Sequence, residues 1–537
     1  MGLSRRGTVL ASFLLASCLG IAQSPPMKPG HRLRPPNASA PTELRAARYL
    51  DSIRNQPSLL LEFVRQFPKG ADLHNHLTGA VYAETFINFA AHDNLCVDRK
   101  SLRLLPPVNK PEPPPAEPKV LCDESKGHVP AARAFSDYLL YRDLIDAWSM
   151  RHFTPGVESG HDHFFDTFSK FSLAKGDNMG AMLAEAVSRA GHEHVRYLEL
   201  MLGPDGGAAL RLGAISWNGD MAAQRQKLIE QHIETAVAAA RLTLDRAEAK
   251  MRDELHCGSL NADAGCGVTV RFIYEVHRGF ARDQVFAEML AGMEMATADP
   301  RVVGINLVMP EDAYVPMHDF SLHMQMLDFL HKLYPEVHIA LHAGELAMSL
   351  VPPEALKFHV RESLEVGHAE RIGHAASVMY ERDAISLLQQ MARRHVAVEV
   401  CLTSNDMILG VRDADHPLLM FLKYGVPVSL ATDDEGVARS DLNHEYLRAI
   451  ESYKLPYSTL KRISRNGLEY AFLPGASLWA DAGQFHRASC RDDQPLAAED
   501  ALSTSCRQFL KSSERARLQW KLEGEFTAFE RQVGSQH

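Results

Sequence analysis

The sequence predicts an α/β fold, a (β/α)8 TIM barrel in which eight parallel strands are surrounded by helices. Short runs rich in Val, Ile and Leu alternate with helix-like stretches through residues 195–430, and this alternation is typical of a parallel sheet. Histidine and carboxylate residues recur where these runs end, which is where catalytic groups lie in such barrels. The length of 537 residues accommodates one such domain with additions.

The first predicted strand, Ala71–Leu77, follows a Pro68-Lys69-Gly70 turn, and its alternation places His74 and His76 on one face. The other seven candidate strands are Val195–Leu200, Val268–Val276, Val302–Val308, Val337–Leu341, Arg371–Ala375, Val396–Leu402 and Val426–Leu430. Helix-like stretches between them include Met221–Asp253, Asp283–Ala298, Phe320–Leu333 and Arg382–Arg394. No GxGxxG or P-loop pattern follows a strand, so nucleotide-binding loops of those types are not supported.

Residues 1–22 resemble an export signal, because Arg5 and Arg6 precede an apolar run that is too short to span a bilayer. Cleavage after Ala22 would release a periplasmic or secreted protein. Alternatively, the segment ending in Cys18 resembles a lipoprotein box, which would leave the chain anchored to the membrane by a lipid on that cysteine. A Pro-rich linker is expected over residues 23–42, followed by the barrel domain over residues 43–475 and a helical C-terminal extension over residues 476–537.

An N-terminal helical extension is expected over residues 43–66, and an insertion after the first strand at about residues 95–160. Seven prolines in Leu105–Lys119 exclude regular structure from that part of the insertion. The cysteines beyond Cys18 suggest three local disulfides, Cys96 with Cys122, Cys257 with Cys266 and Cys490 with Cys506, and leave Cys401 unpaired. Connectivity stays open at this point, since six cysteines allow about 15 pairings. The aromatic run Phe164, Phe165, Phe168 and Phe171 is predicted to be core packing.

The overall charge argues against nucleic acid as a partner. The net charge is −10 and the isoelectric point is about 6.2, so no basic field is available to hold a polyanion. Beyond the export signal no membrane span is expected. The C-terminal extension is where contacts in a homo-oligomer would form.

Chemically reactive side chains follow four of the predicted strands. They are His74 and His76 on strand one, His342 and Glu345 after strand five, His374 on strand six, and Asp433 and Asp434 after strand eight. Taken singly, each has an ordinary interpretation, such as a core histidine or a helix N-cap. Together, three imidazoles and a carboxylate suit a cation such as Zn²⁺, so the sequence predicts a metal site at the end of the barrel.

Five segments carry a resemblance to a known family. They are Pro68–Leu77, His342–Glu345, Glu370–Ala375, Thr403-Ser404-Asn405 and Ser429–Asp434. In order and spacing, over about residues 66–475, they resemble the adenosine/AMP deaminase family of metal-dependent hydrolases. The export signal and the cysteine-bracketed insertion also resemble the secreted, growth-factor-type adenosine deaminases.

The resemblance implies zinc-dependent hydrolysis of adenosine or 2′-deoxyadenosine to inosine or 2′-deoxyinosine and ammonia, with one Zn²⁺ per chain. In the family, the residues that match His74, His76, His342 and Asp433 bind the metal. The residue matching Glu345 protonates ring N1, and the residue matching His374 orients the water and takes its proton. Asp434 would bond to N7, which is an acceptor, so its carboxyl must hold or share a proton.

Two departures from the family pattern concern the substrate-binding residues. Thr78 stands where many members have an aspartate that meets the ribose, and Met309-Pro310 stands in the Leu-x-Gly segment whose backbone approaches purine N3. An alternative is therefore a related single-metal barrel hydrolase that deaminates another amino-purine, such as an N6-substituted adenine nucleoside or AMP. A secreted binding protein without catalysis is disfavoured, because every expected catalytic residue is present.

Overall fold

The computed structural model describes residues 41–106, 122–480 and 489–534. The predicted export signal, Cys18 and all but the last two residues of the predicted linker lie outside the described residues. Most of the Pro-rich run Leu105–Lys119 also lies outside them. Among the helices that the structure does describe, none is long and apolar enough to cross a membrane.

The described residues contain eleven β-strands in two sheets. They are β1 (Gly70–His76), β2 (Cys96–Asp98), β3 (Leu104–Leu105), β4 (His128–Pro130), β5 (Val195–Leu202), β6 (Thr269–His277), β7 (Val302–Val308), β8 (His338–Ala343), β9 (Arg371–His374), β10 (Ala397–Val400) and β11 (Val428–Leu430). Strand β1 and strands β5 to β11 form one eight-stranded sheet in chain order, with every paired neighbour parallel.

This sheet closes into the predicted TIM barrel. Asn75 of β1 forms a parallel bridge with Asp433, which follows β11. The backbone N–H of Asp433 donates to the carbonyl of His74 at 2.8 Å, and the N–H of His76 donates to the carbonyl of Asp433 at 3.1 Å. All eight predicted strands are confirmed, and the last is joined to the first at the residues predicted to bind metal.

The helices alternate with the strands as predicted. They are α1 (Pro41–Ile53), α2 (Pro57–Gln66), α3 (Leu77–Ala80), α4 (Ala83–His92), α5 (Tyr138–Ala147), α6 (Gly160–Phe171), α7 (Met179–His192), α8 (Ala208–Leu212), α9 (Met221–Glu230), α10 (Glu234–Glu254), α11 (Arg282–Ala298), α12 (Tyr314–His318), α13 (Phe320–His331), α14 (His359–Glu365), α15 (Ala384–Arg394), α16 (Leu402–Leu409), α17 (Leu418–Tyr424), α18 (Glu435–Ala438), α19 (Leu442–Glu451), α20 (Tyr457–Glu469), α21 (Thr504–Ser512) and α22 (Glu514–Gly534). One prediction is wrong in detail: Met221–Asp253 is two helices, because the chain turns at His232, whose φ is +61°.

The insertion is more ordered than its composition suggested. Strands β2, β3 and β4 form a small antiparallel sheet that the sequence did not predict. The disulfide Cys96–Cys122 closes this region as expected. The other two suggested disulfides, Cys257–Cys266 and Cys490–Cys506, are also present, and Cys401 is free and buried.

The N-terminal and C-terminal extensions pack on each other and on the barrel. Helix α22 contacts α1 and α20. Phe63 of α2 meets Phe529 of α22 edge to face, with ring centroids 5.1 Å apart, and Phe67 meets Phe526 at 5.4 Å. The predicted helical C-terminal extension is confirmed over α21 and α22. Burial of these aromatic side chains gives the extension a structural role in the domain.

An ionic group inside the barrel connects the strands below the site. Arg371 of β9 is buried between the carboxylates of Glu199 on β5 and Glu399 on β10, and its Nε lies 2.5 Å from Glu399 Oε1. A buried charge is stable when it is paired and hydrogen-bonded, and both conditions hold here. The second oxygen of Glu399, Oε2, is therefore held in a defined position, 2.7 Å from Nδ1 of His74.

Candidate metal and substrate site

The four predicted metal ligands converge at the carboxyl end of the barrel. Nε2 of His74 and Nε2 of His76 each lie 3.4 Å from Asp433 Oδ1. Nε2 of His76 lies 3.1 Å from Nε2 of His342. Asp433 has a φ of +60°, a conformation that costs free energy in a residue other than glycine and persists where the surroundings hold it. The two backbone hydrogen bonds to β1 hold it here.

The electrostatics of this group favour a positive charge. Burial alone would lower the pKa of His74, but hydrogen bonds to the carboxylates of Asp433 and Glu399 outweigh it and raise that pKa to about 10. Burial likewise opposes ionisation of Asp433, yet His74, His374 and His76 hold its pKa well below the usual range. A cation placed between these groups would be stabilised in the same way as the proton on His74. The donor set fits the predicted metal.

The contacts made by Nδ1 distinguish the three predicted ligand histidines from His374. In each predicted ligand, Nδ1 lies beside an oxygen: that of His74 beside Glu399 Oε2 at 2.7 Å, that of His76 beside Glu275 Oε1 at 2.9 Å, and that of His342 beside Asn306 Oδ1 at 2.8 Å. A ring that donates from Nδ1 offers the lone pair of Nε2 to a metal. Nδ1 of His374 instead lies 3.0 Å from the amide nitrogen of Asn405. By proximity alone, His374 would also qualify as a ligand; the hydrogen bonds favour His76.

Sequence reasoning did not identify the residues that orient these rings. Asn306 and Glu399 each interrupt an otherwise apolar strand, β7 and β10 respectively, and Glu275 follows the apolar run Phe272-Ile273-Tyr274 in β6. A polar residue inside a barrel strand is a signal that could have found them, because burial there requires a hydrogen-bond partner. The partner itself lies on another strand, so only the folded chain identifies it.

Glu345 lies beside His374, with Oε1 3.7 Å from Nε2 of that ring. Burial raises the pKa of Glu345 to about 8, and the negative charge of Asp433 adds to this effect. The carboxylate of Glu311 accepts the backbone N–H groups of Gly344 at 3.0 Å and of Glu345 at 2.8 Å. Glu311 thereby fixes the loop that carries the predicted acid, a role that the sequence did not reveal.

Asp434, which is predicted to bond to purine N7, is buried beside Gly79. Burial, together with the charges of Asp433 and Glu275, raises its pKa well above the usual range. Its Oδ1 makes no hydrogen bond to any described residue. The carboxyl fits because residue 79 is glycine: a Cβ there would lie 1.6 Å from Oδ1. A carboxyl whose pKa is raised and which lines the cavity is compatible with the chemistry expected of Asp434.

These groups face a cavity of about 440 Å³, within the range of small-molecule sites. Thr78 and Met309, the two predicted substrate-binding positions, both line it. Phe164, Phe165 and Phe168 of α6 form another wall. The prediction of core packing for this aromatic run holds for Phe164 and Phe171, which are buried in the core, but Phe164, Phe165 and Phe168 also contact the cavity.

Met309 has a backbone that usually calls for glycine. Its φ is +83°, and Nε of the buried Arg278 donates to its carbonyl at 3.0 Å. The side chain lies over Gly279, where a Cβ would be 2.7 Å from Met309 Cε. The positive φ that a family glycine would supply is therefore retained, and the added methionine side chain is accommodated by a glycine at position 279.

The sequence model of the adenosine deaminase family matches residues 158–478. The chain therefore belongs to the adenosine deaminase family. Adenosine deaminase from Escherichia coli (strain SMS-3-5 / SECEC) is 40% identical over 137 residues, which is 25% of this chain and 38% of that protein. The match thus spans little more than a third of that relative.

Two solved structures are similar to this chain. An amidohydrolase from Burkhoderia ambifaria with bound Zn has a TM-score of 0.53 and 17% identity, covering 88% of this chain and 94% of that one. The N6-methyl-AMP deaminase from Arabidopsis thaliana has a TM-score of 0.49 and 18% identity, covering 77% and 94%. At these identities the likeness to the amidohydrolase shows the fold alone.

Proposed function

We propose that this chain is a zinc-dependent aminohydrolase that converts adenosine or 2′-deoxyadenosine to inosine or 2′-deoxyinosine and ammonia. The observation that carries the proposal is the convergence of three imidazole Nε2 atoms and the Asp433 carboxylate beside a buried Glu345, at the wall of a cavity of about 440 Å³. Membership of the adenosine deaminase family supports the reaction class.

His74, His76, His342 and Asp433 would hold one Zn²⁺. Nitrogen and carboxylate ligands are the donor set that zinc takes in catalytic sites, and the amidohydrolase of the same fold carries bound Zn. When bound, the ion would lower the pKa of water to about 7, which supplies hydroxide at neutral pH. Glu399, Glu275 and Asn306 keep the three rings in the orientation that ligation needs.

Protein groups then direct the reaction at purine C6. Glu345 begins as a carboxylic acid and gives its proton to ring N1, which makes C6 more electrophilic. Asp434 donates a hydrogen bond to N7 and fixes the base in the cavity. Water supplies the oxygen that stays on C6. Of the two water protons, one leaves with ammonia and the other restores Glu345, whose own proton stays on N1 of the product.

A second candidate substrate is favoured by the cavity wall. Thr78 and Met309 replace residues that contact the nucleoside in the family, and the cationic side chain of Lys175 lines the same cavity. A cation at this position would suit the phosphate of AMP. An N6-substituted adenine nucleoside is the other variant of this alternative.

Export is proposed as well, since three disulfides are typical of an oxidising compartment. Cleavage after Ala22 and lipidation of Cys18 remain the two alternatives for the mature form. The mass of the N-terminal peptide from the native source distinguishes them. A homo-oligomer is proposed too, and the molar mass from light scattering tests it.

The deciding experiment is a substrate panel with metal quantification on the purified full chain. Adenosine, 2′-deoxyadenosine, N6-methyladenosine and AMP are each assayed for ammonia release, before and after removal of metal by a chelator. We expect about one zinc per chain, release with adenosine and its deoxy form, and loss of release after chelation. Zinc-replete protein that releases no ammonia from any of the four would refute the proposal.

A further inference from the structure

We propose that the ion pair between His161 and Asp312 is a positioning contact, which sets the spacing between two walls of the substrate cavity. One wall is the aromatic face of α6, and the other is the loop over residues 309–313, between β7 and α12. The expected effect on substrate binding rests on the proposed function. The pair itself takes no part in the chemical step.

The contact joins two distant parts of the chain. Nε2 of His161, in the first turn of α6, lies 2.9 Å from Oδ1 of Asp312. Only 13% of the His161 side chain and 20% of the Asp312 side chain are exposed. Water therefore screens this pair less than it screens a pair on the open surface.

One face of α6 carries both the histidine and the aromatic wall. Residues 161, 164, 165 and 168 follow the spacing of a single helix face, and the phenylalanines at the last three positions line the cavity. The centroid of the His161 ring lies 4.8 Å from that of Phe165, one turn further along the helix. A restraint on His161 is thus a restraint on the aromatic wall.

The loop after β7 connects the second wall to the carboxylate. Met309 and Pro310 line the cavity, and Asp312 follows two residues after Pro310. On the barrel side, Nε of Arg278 donates to the carbonyl of Met309 at 3.0 Å. The loop is therefore fixed to the barrel at Met309 and to α6 at Asp312, with Pro310 between these two points in sequence.

The charges around the pair favour the contact. Burial alone would lower the pKa of His161, but hydrogen bonds to the carboxylates of Asp312 and Asp162 outweigh it and raise that pKa to about 9. Asp162 is 81% exposed, so solvent screens its contribution. The buried guanidinium of Arg278 attracts Asp312 from the barrel side. At neutral pH the His161 ring is cationic, and the contact is an ion pair.

Restraint of a cavity wall affects binding and not the chemical step. A wall that touches the purine contacts substrate and transition state alike, so loosening the wall raises KM and leaves kcat unchanged. Without the ion pair, α6 and the loop would have to be ordered each time a purine binds, and that ordering opposes binding. This pattern differs from the loss of kcat that is expected on removal of Glu345.

His161→Leu tests the inference on the purified, zinc-replete full chain. We expect KM for adenosine to rise by about 2–10-fold, the range for one side chain that must be ordered on binding, with kcat little changed. His163→Leu is the matched control. That histidine lies on the same helix with 14% of its side chain exposed, but its Nε2 lies 3.0 Å from the carbonyl oxygen of Ser149 and not from the loop. KM should be unchanged there.

Exchange of the two charges separates the ion pair from simple packing. His161→Asp places two carboxylates together, and Asp312→His places two imidazoles together, so each single variant should raise KM. The double variant His161→Asp/Asp312→His restores a pair of the same total length, and KM should return to within a few-fold of the native value. A double variant no better than the worse single variant would show that the charges do not act on each other.

Hydrogen–deuterium exchange reads the restraint without any substrate. The amides of residues 309–313 should exchange faster in His161→Leu than in the native chain or in His163→Leu, because the loop has lost its contact with α6. Urea unfolding shows whether each variant is folded. If His161→Leu is not, Asp312→Asn takes its place, since it keeps the side-chain shape and removes the charge.

Unchanged loop exchange in a folded variant, or a fall in kcat with KM unchanged, would overturn the inference. Failure of the proposed function would look different. The native chain would then hydrolyse no amino-purine on the panel, while exchange in the loop would still increase on loss of the ion pair.

Discussion

The barrel has a histidine-lined cavity at each end, and the two differ in what the histidines contact. The cavity at the amino ends of the strands is the larger, about 1030 Å³, and is lined by His331, His338, His368 and His395. The cavity at the carboxyl ends is about 440 Å³. At the larger one, His338 pairs with Glu370 and His368 with Asp328, both partly exposed to solvent.

The difference shows that neither volume nor residue type defines a site. In the part of the chain that the structure describes, the histidines of the larger cavity form no group that could hold a metal ion. At the smaller cavity His74 and His342 are buried and His76 is largely so, their Nδ1 atoms are held, and their Nε2 atoms converge. Desolvation strengthens each electrostatic interaction there, whereas water screens the exposed pairs at the other end.

The largest expected effect is at Glu345. Glu345→Gln keeps the shape of the side chain but removes the transferable proton, and we expect kcat to fall by about 10²–10⁴, the range for general acid catalysis. Ammonia release measures it, and zinc content should not change. A variant that keeps more than half of native kcat would show that the acid at this end of the barrel is another group.

The next effect compares two carboxylates that make the same contact. Glu275 lies 2.9 Å from Nδ1 of His76 at the smaller cavity, and Glu370 lies 2.8 Å from Nδ1 of His338 at the larger one. Glu275→Gln should weaken zinc binding by about 10–100-fold, as loss of an outer partner does. Competition with a metal indicator measures it. Glu370→Gln is the matched control and should leave zinc affinity unchanged; equal losses would remove the distinction between the two ends.

The pH dependence of the rate gives a smaller effect with a defined sign. Glu345 must be protonated to act, and burial raises its pKa to about 8, a value that a bound cation would lower. The contribution of Glu345 to the rate should therefore decline about tenfold per pH unit above a midpoint no higher than 8, while loss of hydroxide would lower the rate on the acid side. His338→Gln, at the other cavity, should show the same profile. A rate that stays constant well above this midpoint would contradict the acid role.

Much of the fold was predictable because parallel strands buried on both faces are continuous apolar runs. The predicted bounds of Val302–Val308 match β7. The small sheet of the insertion was not predictable, since strands of two or three residues such as Leu104–Leu105 carry no period. The break at His232 was missed because nothing in the apolar pattern interrupts Met221–Asp253.

The site, like the fold, has residues that the sequence predicted and residues that it did not. Metal-ligand candidates follow from residue types at strand ends, and the structure brings His74, His76, His342 and Asp433 together. The groups that decide how each ring is used are not readable from the sequence. His416 lies 42 residues beyond His374 and is joined to it by hydrogen bonds through Asn405, a contact that only the folded chain brings about.

The smallest expected effect concerns backbone strain, which occurs at one residue beside each of the two cavities. Met309 at the smaller cavity has a φ of +83°, and His395 at the larger one, where it ends α15, has a φ of +55°. A side chain in this conformation costs about 1 kcal/mol that glycine avoids. In urea unfolding, Met309→Gly should therefore be more stable than Met309→Ala by about 1 kcal/mol, and His395→Gly more stable than His395→Ala by the same amount.

The effect on KM should differ between Met309 and His395, although the effect on stability is expected to be the same. Both Met309 variants remove a side chain that lines the cavity and covers Gly279, so both should change KM for adenosine, by about 1–3 kcal/mol at most in binding. Neither His395 variant should change it. A KM shift in the glycine variant of Met309 but not in the alanine variant would mean that backbone conformation, and not the methionine side chain, sets this wall of the substrate site.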